Sequence, residues 1–173
     1  MYKERGFTSH DVVAKLRGIL HMKKIGHTGT LDPDATGVLP VCLGKATKVC
    51  GLLTDKDKTY RAVVKLGVMT NTEDMTGEIL AKHPVLVTKE QIERAVSKFV
   101  GEIEQVPPMY SAIKINGKKL YELARQGKEV ERKARKVTIY GIKVLSIDFS
   151  ENEFTMEVSC SKGTYIRTLC KDI

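Results

Sequence analysis

The chain has 173 residues and a net charge of +8, with 42% hydrophobic and 29% charged residues. These are ordinary proportions for a soluble globular protein, and no apolar run approaches the ~20 residues that a membrane-spanning helix needs. The sequence therefore argues against a transmembrane protein. Because the N-terminus also lacks the apolar core of a signal peptide, it predicts a cytoplasmic domain.

The first predicted element is a helix that begins with Ser9 as its N-cap and runs to about Leu20. Its buried face is predicted from apolar residues at helical spacing, namely Val12, Val13, Leu16, Ile19 and Leu20. A constrained loop, a short strand and a helix near 46–53 are expected to come next.

The middle of the chain predicts one strand and one further helix. Apolar residues at every second position indicate a strand with one buried face, namely Tyr60, Ala62, Val64 and Leu66. Thr88 and Gln91 have the spacing of a capping box, so a helix should begin there. Its core positions would be Ile92, Ala95, Val96 and Phe99, with Gly101 as its stop.

The last third of the sequence predicts turns and a long hairpin. Asn116-Gly117 is a strong turn signal, and a short helix over 121–126 should end at Gly127. Strands over 137–149 and 154–160 should form a hairpin that turns at 150–152, with a bulge or bend at Gly141. Because strands and helices mix without a regular βαβ repeat, we expect an α+β domain whose mostly antiparallel sheet is flanked by helices.

Basic charge concentrates in two segments. Residues 114–136 hold nine Lys/Arg and three Glu, and residues 1–25 hold six basic and two acidic side chains. Such concentrated positive charge favours a phosphate backbone through counterion release, whereas a single lysine-rich stretch is more often a solvated helix face. The basic, turn-rich segment of about 108–136 is predicted to be an inserted arm of the domain.

The segment 26–40 predicts a rigid loop that carries a reactive carboxylate. Its fifteen residues include three glycines and two prolines, which restrict the chain to few shapes. Asp32 precedes Pro33, so its backbone is biased away from the helical region. An isolated Asp-Pro is more often a turn cap, so the loop alone leaves a structural and a catalytic interpretation open.

Four segments together resemble the TruB-type family of tRNA pseudouridine synthases. They lie in the family's order and span nearly the whole chain: 3–11 (KERGFTSHD), 27–33 (HTGTLDP), 58–60 (KTY) and 163–167 (GTYIR). The first segment departs from the family pattern, since Glu4 stands where a proline is usual.

The resemblance implies a fold and an activity. The fold would be the pseudouridine synthase catalytic fold, with residues 108–136 as a thumb-like arm. Residues 1–173 would be a partial catalytic domain that lacks the C-terminal RNA-binding domain of the family. The activity would be isomerisation of a T-loop uridine of tRNA, in which the N1–C1′ bond breaks and the base rejoins through C5. The reaction exchanges bonds within one nucleotide and requires no cofactor in principle.

The same resemblance assigns three catalytic residues. Asp32 would be the catalytic carboxylate, acting either as a nucleophile at C1′ or as a base on the sugar. Arg167 would pair with it and keep it ionised. Tyr60 would stack on the flipped uracil. Taken alone, Tyr60 would be an ordinary strand aromatic and Arg167 a surface residue of a helix.

The expected partner is the T-arm stem-loop of tRNA, with no protein partner and a monomeric protein. His27 would fill the gap left by the extruded nucleotide or contact its neighbour, although a histidine bonded to its own loop is an equal alternative. Lys3 is counted among the RNA contacts and is also expected to support the loop. The remaining predicted RNA contacts lie in the arm: Lys114, Lys118, Lys119, Arg125, Arg132 and Lys133.

Two other functions stay open at this point. An RNA-binding module, or another RNA-modifying enzyme without isomerase activity, would also carry basic clusters but would not need Asp32, Tyr60 and Arg167 together. Gly44-Lys45-Ala46-Thr47 suggests nucleotide binding but lacks the full P-loop pattern. The four cysteines contain no C-x-x-C pair, so neither a metal site nor a disulfide is expected.

Overall fold

The computed structural model describes all 173 residues. The chain divides into two compact units, Met1–Lys56 and Asp57–Ile173. None of its helices has both the length and the apolar character needed to cross a membrane.

The first unit combines short strands with two helices. Its strands β1 and β3 pair antiparallel, as do β2 and β4. The elements are β1 (Tyr2–Lys3), α1 (Ser9–Leu20), β2 (Ile25–His27), β3 (Gly37–Val38), β4 (Val41–Leu43), a 3-10 helix (Gly44–Val49) and α2 (Cys50–Thr54).

Helix α1 begins one residue earlier than predicted. Thr8, and not Ser9, is the N-cap: its hydroxyl accepts from the Asp11 N–H at 3.0 Å, and the Asp11 carboxylate accepts from the Thr8 N–H at 2.8 Å. This reciprocal pair satisfies two N–H groups at the start of the helix. The predicted apolar stripe is only partly buried, because Ile19 and Leu20 are exposed.

The second unit is built on a four-stranded antiparallel sheet in the order β5-β12-β11-β8. A separate hairpin, β6–β7, and a small hairpin, β9–β10, complete the strands. The elements are β5 (Lys58–Lys65), β6 (Val68–Thr70), β7 (Ile79–Lys82), α3 (Lys89–Ser97), β8 (Gly101–Gln105), β9 (Lys114–Ile115), β10 (Lys118–Lys119), α4 (Leu120–Ala124), β11 (Arg135–Asp148), β12 (Glu153–Cys160) and α5 (Ile166–Asp172).

One face of this sheet forms the core of the second unit. Every second residue of β12 is buried, as the period of a strand requires. Helices α3 and α5 supply buried residues to the same cluster, among them Val96 and Leu169. The core cluster comprises Val64, Ile92, Val96, Ile139, Phe154, Met156, Val158, Cys160 and Leu169. The predicted α+β class with antiparallel pairing is confirmed.

The predicted hairpin and helix signals are confirmed with small shifts. The β11–β12 hairpin turns through Asn152, whose φ is +52°, and its register shifts between Ile139 and Gly141, where a bulge was expected. Helix α3 has the predicted capping box at Thr88. The expectation for Gly101 is wrong, since α3 ends at Ser97 and Gly101 is the first residue of β8.

The arm segment contains a tight hairpin and a short helix. Asn116 and Gly117 both have positive φ, +50° and +82°, as a two-residue hairpin turn requires. Helix α4 buries Leu120 and Leu123, so the segment shields two large apolar side chains from water. At its far end, Arg132 Nη1 donates to the Pro107 carbonyl at 3.1 Å and ties the two ends of the segment together.

Candidate active site

Asp32 opens a hydrogen-bonded turn in the first unit. The Ala35 N–H donates to the Asp32 carbonyl at 3.0 Å, and Pro33 occupies the second turn position, where its fixed φ is favourable. One residue earlier, the Leu31 N–H donates to Ser9 Oγ at 3.0 Å. Asp32 itself is exposed. The turn therefore holds the backbone while leaving an accessible residue at its start.

Lys3 supports this turn from the interior of the first unit. Its side chain is fully buried, and its ammonium donates to the carbonyls of Glu4 (2.9 Å), Phe7 (2.7 Å) and Pro33 (3.0 Å). The Gly6 N–H also donates to the Pro33 carbonyl, at 2.9 Å. A buried ammonium that uses its three N–H bonds in this way has no donor left for a phosphate. This geometry is consistent with the expected support of the loop by Lys3, and its predicted contact with RNA stays a prediction.

Two carboxylates lie close enough to influence this buried charge. Burial lowers the pKa of Lys3, and the charges of Asp34 and Asp32 act in the opposite direction. Asp34 is also 3.9 Å from Arg5 Nε at an exposed position. The carboxylates thus offset part of the cost of placing an ammonium in the interior.

His27 is bonded within its own loop. It lies on β2 opposite Val41, and its Nδ1 is 2.6 Å from the Gly29 carbonyl. Since a carbonyl only accepts, Nδ1 carries the proton in this contact. The arrangement fixes the orientation of the ring, and the predicted contact with RNA stays a prediction.

Tyr60 lies in the second unit, on β5. It is half-buried, pairs across the ladder with Val158 and packs against the core cluster. Ile166, the residue before Arg167, packs against the same cluster. Stacking of Tyr60 on a flipped base stays a prediction.

Arg167 occupies the second position of helix α5. Its side chain is only 13% exposed. Nη2 donates to the Tyr110 carbonyl at 2.9 Å, while Nη1 lies 3.4 Å from Asp74 Oδ2 and 3.4 Å from the Thr72 carbonyl. The guanidinium is therefore held by two different loops of the second unit.

Asp74 is the carboxylate that this arrangement adds to the predicted residues. Its Oδ1 accepts from the hydroxyls of Thr72 (2.7 Å) and Thr76 (2.6 Å) and from the Thr76 N–H (3.0 Å). Burial alone would raise the pKa of Asp74, but these hydrogen bonds and the Arg167 charge together hold it below its ordinary value. The carboxylate is thus kept ionised next to the guanidinium.

Glu73, the neighbouring residue, fastens the same turn to α5. Its φ is +62°, and its carboxylate accepts from Thr168 Oγ1 and from Lys171 Nζ, both at 2.7 Å. Sequence reasoning missed Glu73 and Asp74 altogether. The available signal was the Thr-x-Asp-x-Thr spacing of 72–76, which is typical of a turn closed on a central carboxylate.

The basic residues of the arm differ in their exposure and in their partners. Lys114, Lys118 and Lys133 are exposed, and the ion pairs of this segment are those of Arg132 with Glu129 and of Lys136 with Glu102. Arg132 also bonds the Pro107 carbonyl, so its guanidinium is already engaged in closing the base of the arm.

Lys119 and Arg125 flank the aromatic ring of Tyr121. The Lys119 ammonium is 5.3 Å and the Arg125 guanidinium 5.4 Å from the ring centroid, within the range of a cation–π contact. Lys119 Nζ also donates to the Tyr121 hydroxyl at 3.1 Å. The helix α4 end of the arm thus presents two cations on an aromatic support.

The predicted site residues are divided between the two units. Lys3, His27 and Asp32 belong to the first unit, whereas Tyr60, Arg167 and the arm belong to the second. The expected pairing of Asp32 with Arg167 stays a prediction.

A family model and full-length sequence relatives both match this chain, and they point to the same family. A model of the TruB family pseudouridylate synthase N-terminal domain matches residues 17–166. A tRNA pseudouridine synthase B of Alkaliphilus oremlandii is 60% identical over 171 residues, and one of Lachnoclostridium phytofermentans is 63% identical over 179. These matches cover 99% and 100% of this chain but 56% and 58% of the relatives. The chain thus spans a little over half the length of these relatives.

Solved structures agree with the sequence relatives. A chain in the crystal structure of a Cbf5–Nop10–Gar1 complex superposes with a TM-score of 0.73 at 35% identity, covering 98% of this chain and 40% of that one. A chain in an H/ACA RNP bound to a substrate RNA containing 2′-deoxyuridine gives a TM-score of 0.69 at 31% identity. Given the match of the family model over most of its length, this chain belongs to the TruB family of pseudouridylate synthases.

Proposed function

We propose that this chain isomerises a uridine of the tRNA T-loop to pseudouridine. The observation that carries the proposal is the similarity of the whole chain to proteins named tRNA pseudouridine synthase B. Asp32, Tyr60 and Arg167, which a binding module would not need together, all lie inside the matched length. The fixed Asp32 turn and the held Arg167 side chain are what such chemistry requires of its reactive groups.

In the proposed reaction, Asp32 acts on the ribose of the target nucleotide. The N1–C1′ bond breaks, the uracil turns, C5 bonds to C1′, and the proton on C5 leaves while N1 gains one. A carboxylate near C1′ stabilises the positive charge that develops there, and it acts either as a nucleophile at C1′ or as a base on the sugar. Support of the Asp32 turn by buried Lys3 limits the positions that the carboxylate can take.

Tyr60 and Arg167 would complete the reaction centre. An extruded base loses its stacking partners, and an aromatic face returns about 1–3 kcal/mol per base. Tyr60 would provide that face from strand β5. Arg167 would keep the Asp32 carboxylate ionised and oriented once RNA is bound.

The arm is the proposed RNA clamp. Lys114, Lys118 and Lys133 are exposed and available to phosphates, and Lys119 and Arg125 project beside Tyr121. Arg132 is assigned to the base of the arm by its bond to Pro107 and is expected to contribute little directly.

The test is isomerisation of a T-arm stem-loop that carries C5-tritiated uridine. Tritium release that stops when cytidine replaces the target uridine is the expected result. Binding of the stem-loop without release would instead favour an RNA-binding module. Release from the stem-loop with no preference for the T-loop uridine would favour another RNA-modifying activity.

A further inference from the structure

Gln105, the last residue of β8, makes an unusual two-point contact with the chain just before α5. Its side chain is 2% exposed. Gln105 Oε1 accepts from the Tyr165 N–H at 3.0 Å, and Gln105 Nε2 donates to the Tyr165 carbonyl at 3.2 Å. One buried amide thus satisfies both backbone groups of a single residue.

The contact lies at the start of α5, where no side chain of the helix N-cap satisfies the first turn. Tyr165 is the N-cap of α5 with φ −95° and ψ 105°, and no side chain caps the helix there. The Tyr165 carbonyl also accepts the first helical bond, from the Leu169 N–H at 3.0 Å. Because Arg167 is two residues further along, the backbone position of Tyr165 determines the position from which the Arg167 side chain extends.

The segment that begins at Gln105 also contacts the guanidinium of Arg167. Tyr110, five residues after Gln105, accepts from Arg167 Nη2 at 2.9 Å through its carbonyl. Pro107 and Pro108 stiffen the connection between them, and Pro108 is fully buried. The stretch 105–110 therefore makes hydrogen bonds both to the backbone before Arg167 and to the Arg167 guanidinium.

We propose that Gln105 is a positioning residue for Arg167, acting through the backbone of Tyr165; this rests on the proposed function of Arg167 in isomerisation. Gln105 is buried and its amide is engaged by the Tyr165 backbone, so the proposed role is exerted through Tyr165. Its amide has a donor and an acceptor at the spacing of the Tyr165 backbone, and turning the amide over would break both bonds. This requirement distinguishes it from an apolar packing residue of the same size.

The first experiment replaces Gln105 with methionine, which keeps the length and removes both hydrogen bonds. The rate of tritium release in a single turnover, measured with the protein at saturating concentration over the RNA, should fall on the order of 10- to 100-fold. A loss of this size is expected when a reactive group such as Arg167 is displaced. The dissociation constant for the T-arm stem-loop should change less than about twofold, because no RNA contact is removed. An unchanged single-turnover rate would overturn the proposal.

Gln91→Met is the matched control. Gln91 Oε1 accepts from the Thr88 N–H at 2.8 Å at the start of α3, so this variant also loses a glutamine hydrogen bond and stability. Its single-turnover rate should equal that of the unmodified chain when both are folded. An equal loss of rate in the two variants would mean that Gln105 acts only through general stability.

A second variant, Gln105→Glu, gives a pH signature. A protonated glutamic acid can still donate to the Tyr165 carbonyl and accept from its N–H, whereas the carboxylate can only accept. The rate of Gln105→Glu relative to the unmodified chain should therefore rise as the pH falls. A ratio that is constant with pH would count against the proposal.

Failure of the proposed function can be told apart from failure of this proposal. If the unmodified chain releases no tritium, the proposed function fails, and NMR of the Tyr165 amide and the Arg167 Nε–H decides about Gln105. In Gln105→Met, the Tyr165 amide should exchange faster with solvent and the Arg167 signal should shift, with neither change in Gln91→Met. Unchanged signals in Gln105→Met would overturn the positioning role.

Discussion

Arg167 and Asp74 form a partly buried ion pair that joins helix α5 to the β6–β7 turn. Nη1 and Oδ2 are 3.4 Å apart, and the side chains are 13% and 31% exposed. Only a residue without a side chain suits the end of this turn, because a Cβ on Gly77 would collide with Thr72 and Asn71. The pair is therefore part of a rigid turn and not a contact between two mobile surface groups.

Asp74→Asn should lower the stability of the chain by about 1–3 kcal/mol at pH 7, because a charge-assisted contact to a buried guanidinium is lost. The folded pKa of Asp74 lies below its ordinary value, so its contribution is present above about pH 4 and is lost as the pH falls further. Urea unfolding at pH 7 and pH 3 should show the difference between variant and unmodified chain shrinking in acid.

Asp148→Asn is the control for that measurement. Asp148 accepts from the hydroxyl and N–H of Ser150 in the β11–β12 turn but does not touch Arg167. Asp148→Asn should lower the free energy of unfolding without lowering the rate of isomerisation, whereas Asp74→Asn should lower both. Equal rates for the two variants would remove Asp74 from the support of Arg167.

Asp32→Asn should abolish isomerisation and leave RNA affinity nearly unchanged, because the basic arm supplies most of the attraction to phosphate. Tritium release and a filter-binding titration on one T-arm stem-loop measure the two quantities. Asp34→Asn is the neighbouring control and should retain activity. Turnover by Asp32→Asn close to that of the unmodified chain would refute the assignment of this carboxylate.

Lys114→Glu combined with Lys118→Glu should weaken RNA binding and flatten its dependence on salt. Each lost phosphate contact removes roughly 0.7 from the slope of log K against log salt for single-stranded RNA. Lys82→Glu with Lys98→Glu is the control, since it changes the net charge equally at exposed positions outside the arm. The same slope in both double variants would place the RNA path elsewhere.

Lys3→Met should destabilise the chain by about 2–4 kcal/mol, because the carbonyls of Glu4, Phe7 and Pro33 lose a common donor in the interior. The single-turnover rate should fall, while RNA affinity should match that of Lys23→Met, which removes the same charge from an exposed site. A loss of affinity confined to Lys3→Met would support Lys3 as an RNA contact.

Local signals predicted much of the fold. The alternation along β5, the Asn116-Gly117 turn and the capping box at Thr88 depend on residues within a few positions of each other, and each was confirmed. The exposed end of α1 was not predictable in this way. Helical spacing defines which face of α1 is apolar, but the extent of burial depends on the size of the surface packed against it.

The support of Arg167 could not be predicted for a related reason. Its contacts come from Asp74 and Tyr110, which are distant in sequence and carry no local pattern that points to residue 167. Lys3 shows the opposite difficulty. A lysine near a basic terminus is normally solvated, and only the fold reveals that three carbonyls converge on it.

The antiparallel pairing of β5 with β12 has a consequence for the order of folding. Strands β11 and β12 are joined by a short turn, whereas β5 reaches β12 only after nearly the whole second unit has been synthesised. Closing a long loop costs entropy before its contacts repay it, so non-local strand pairs form late. We therefore expect the β11–β12 hairpin to nucleate the sheet and the strand that carries Tyr60 to dock last. Until then, β12 is an edge strand that presents unpaired N–H and C=O groups to other chains.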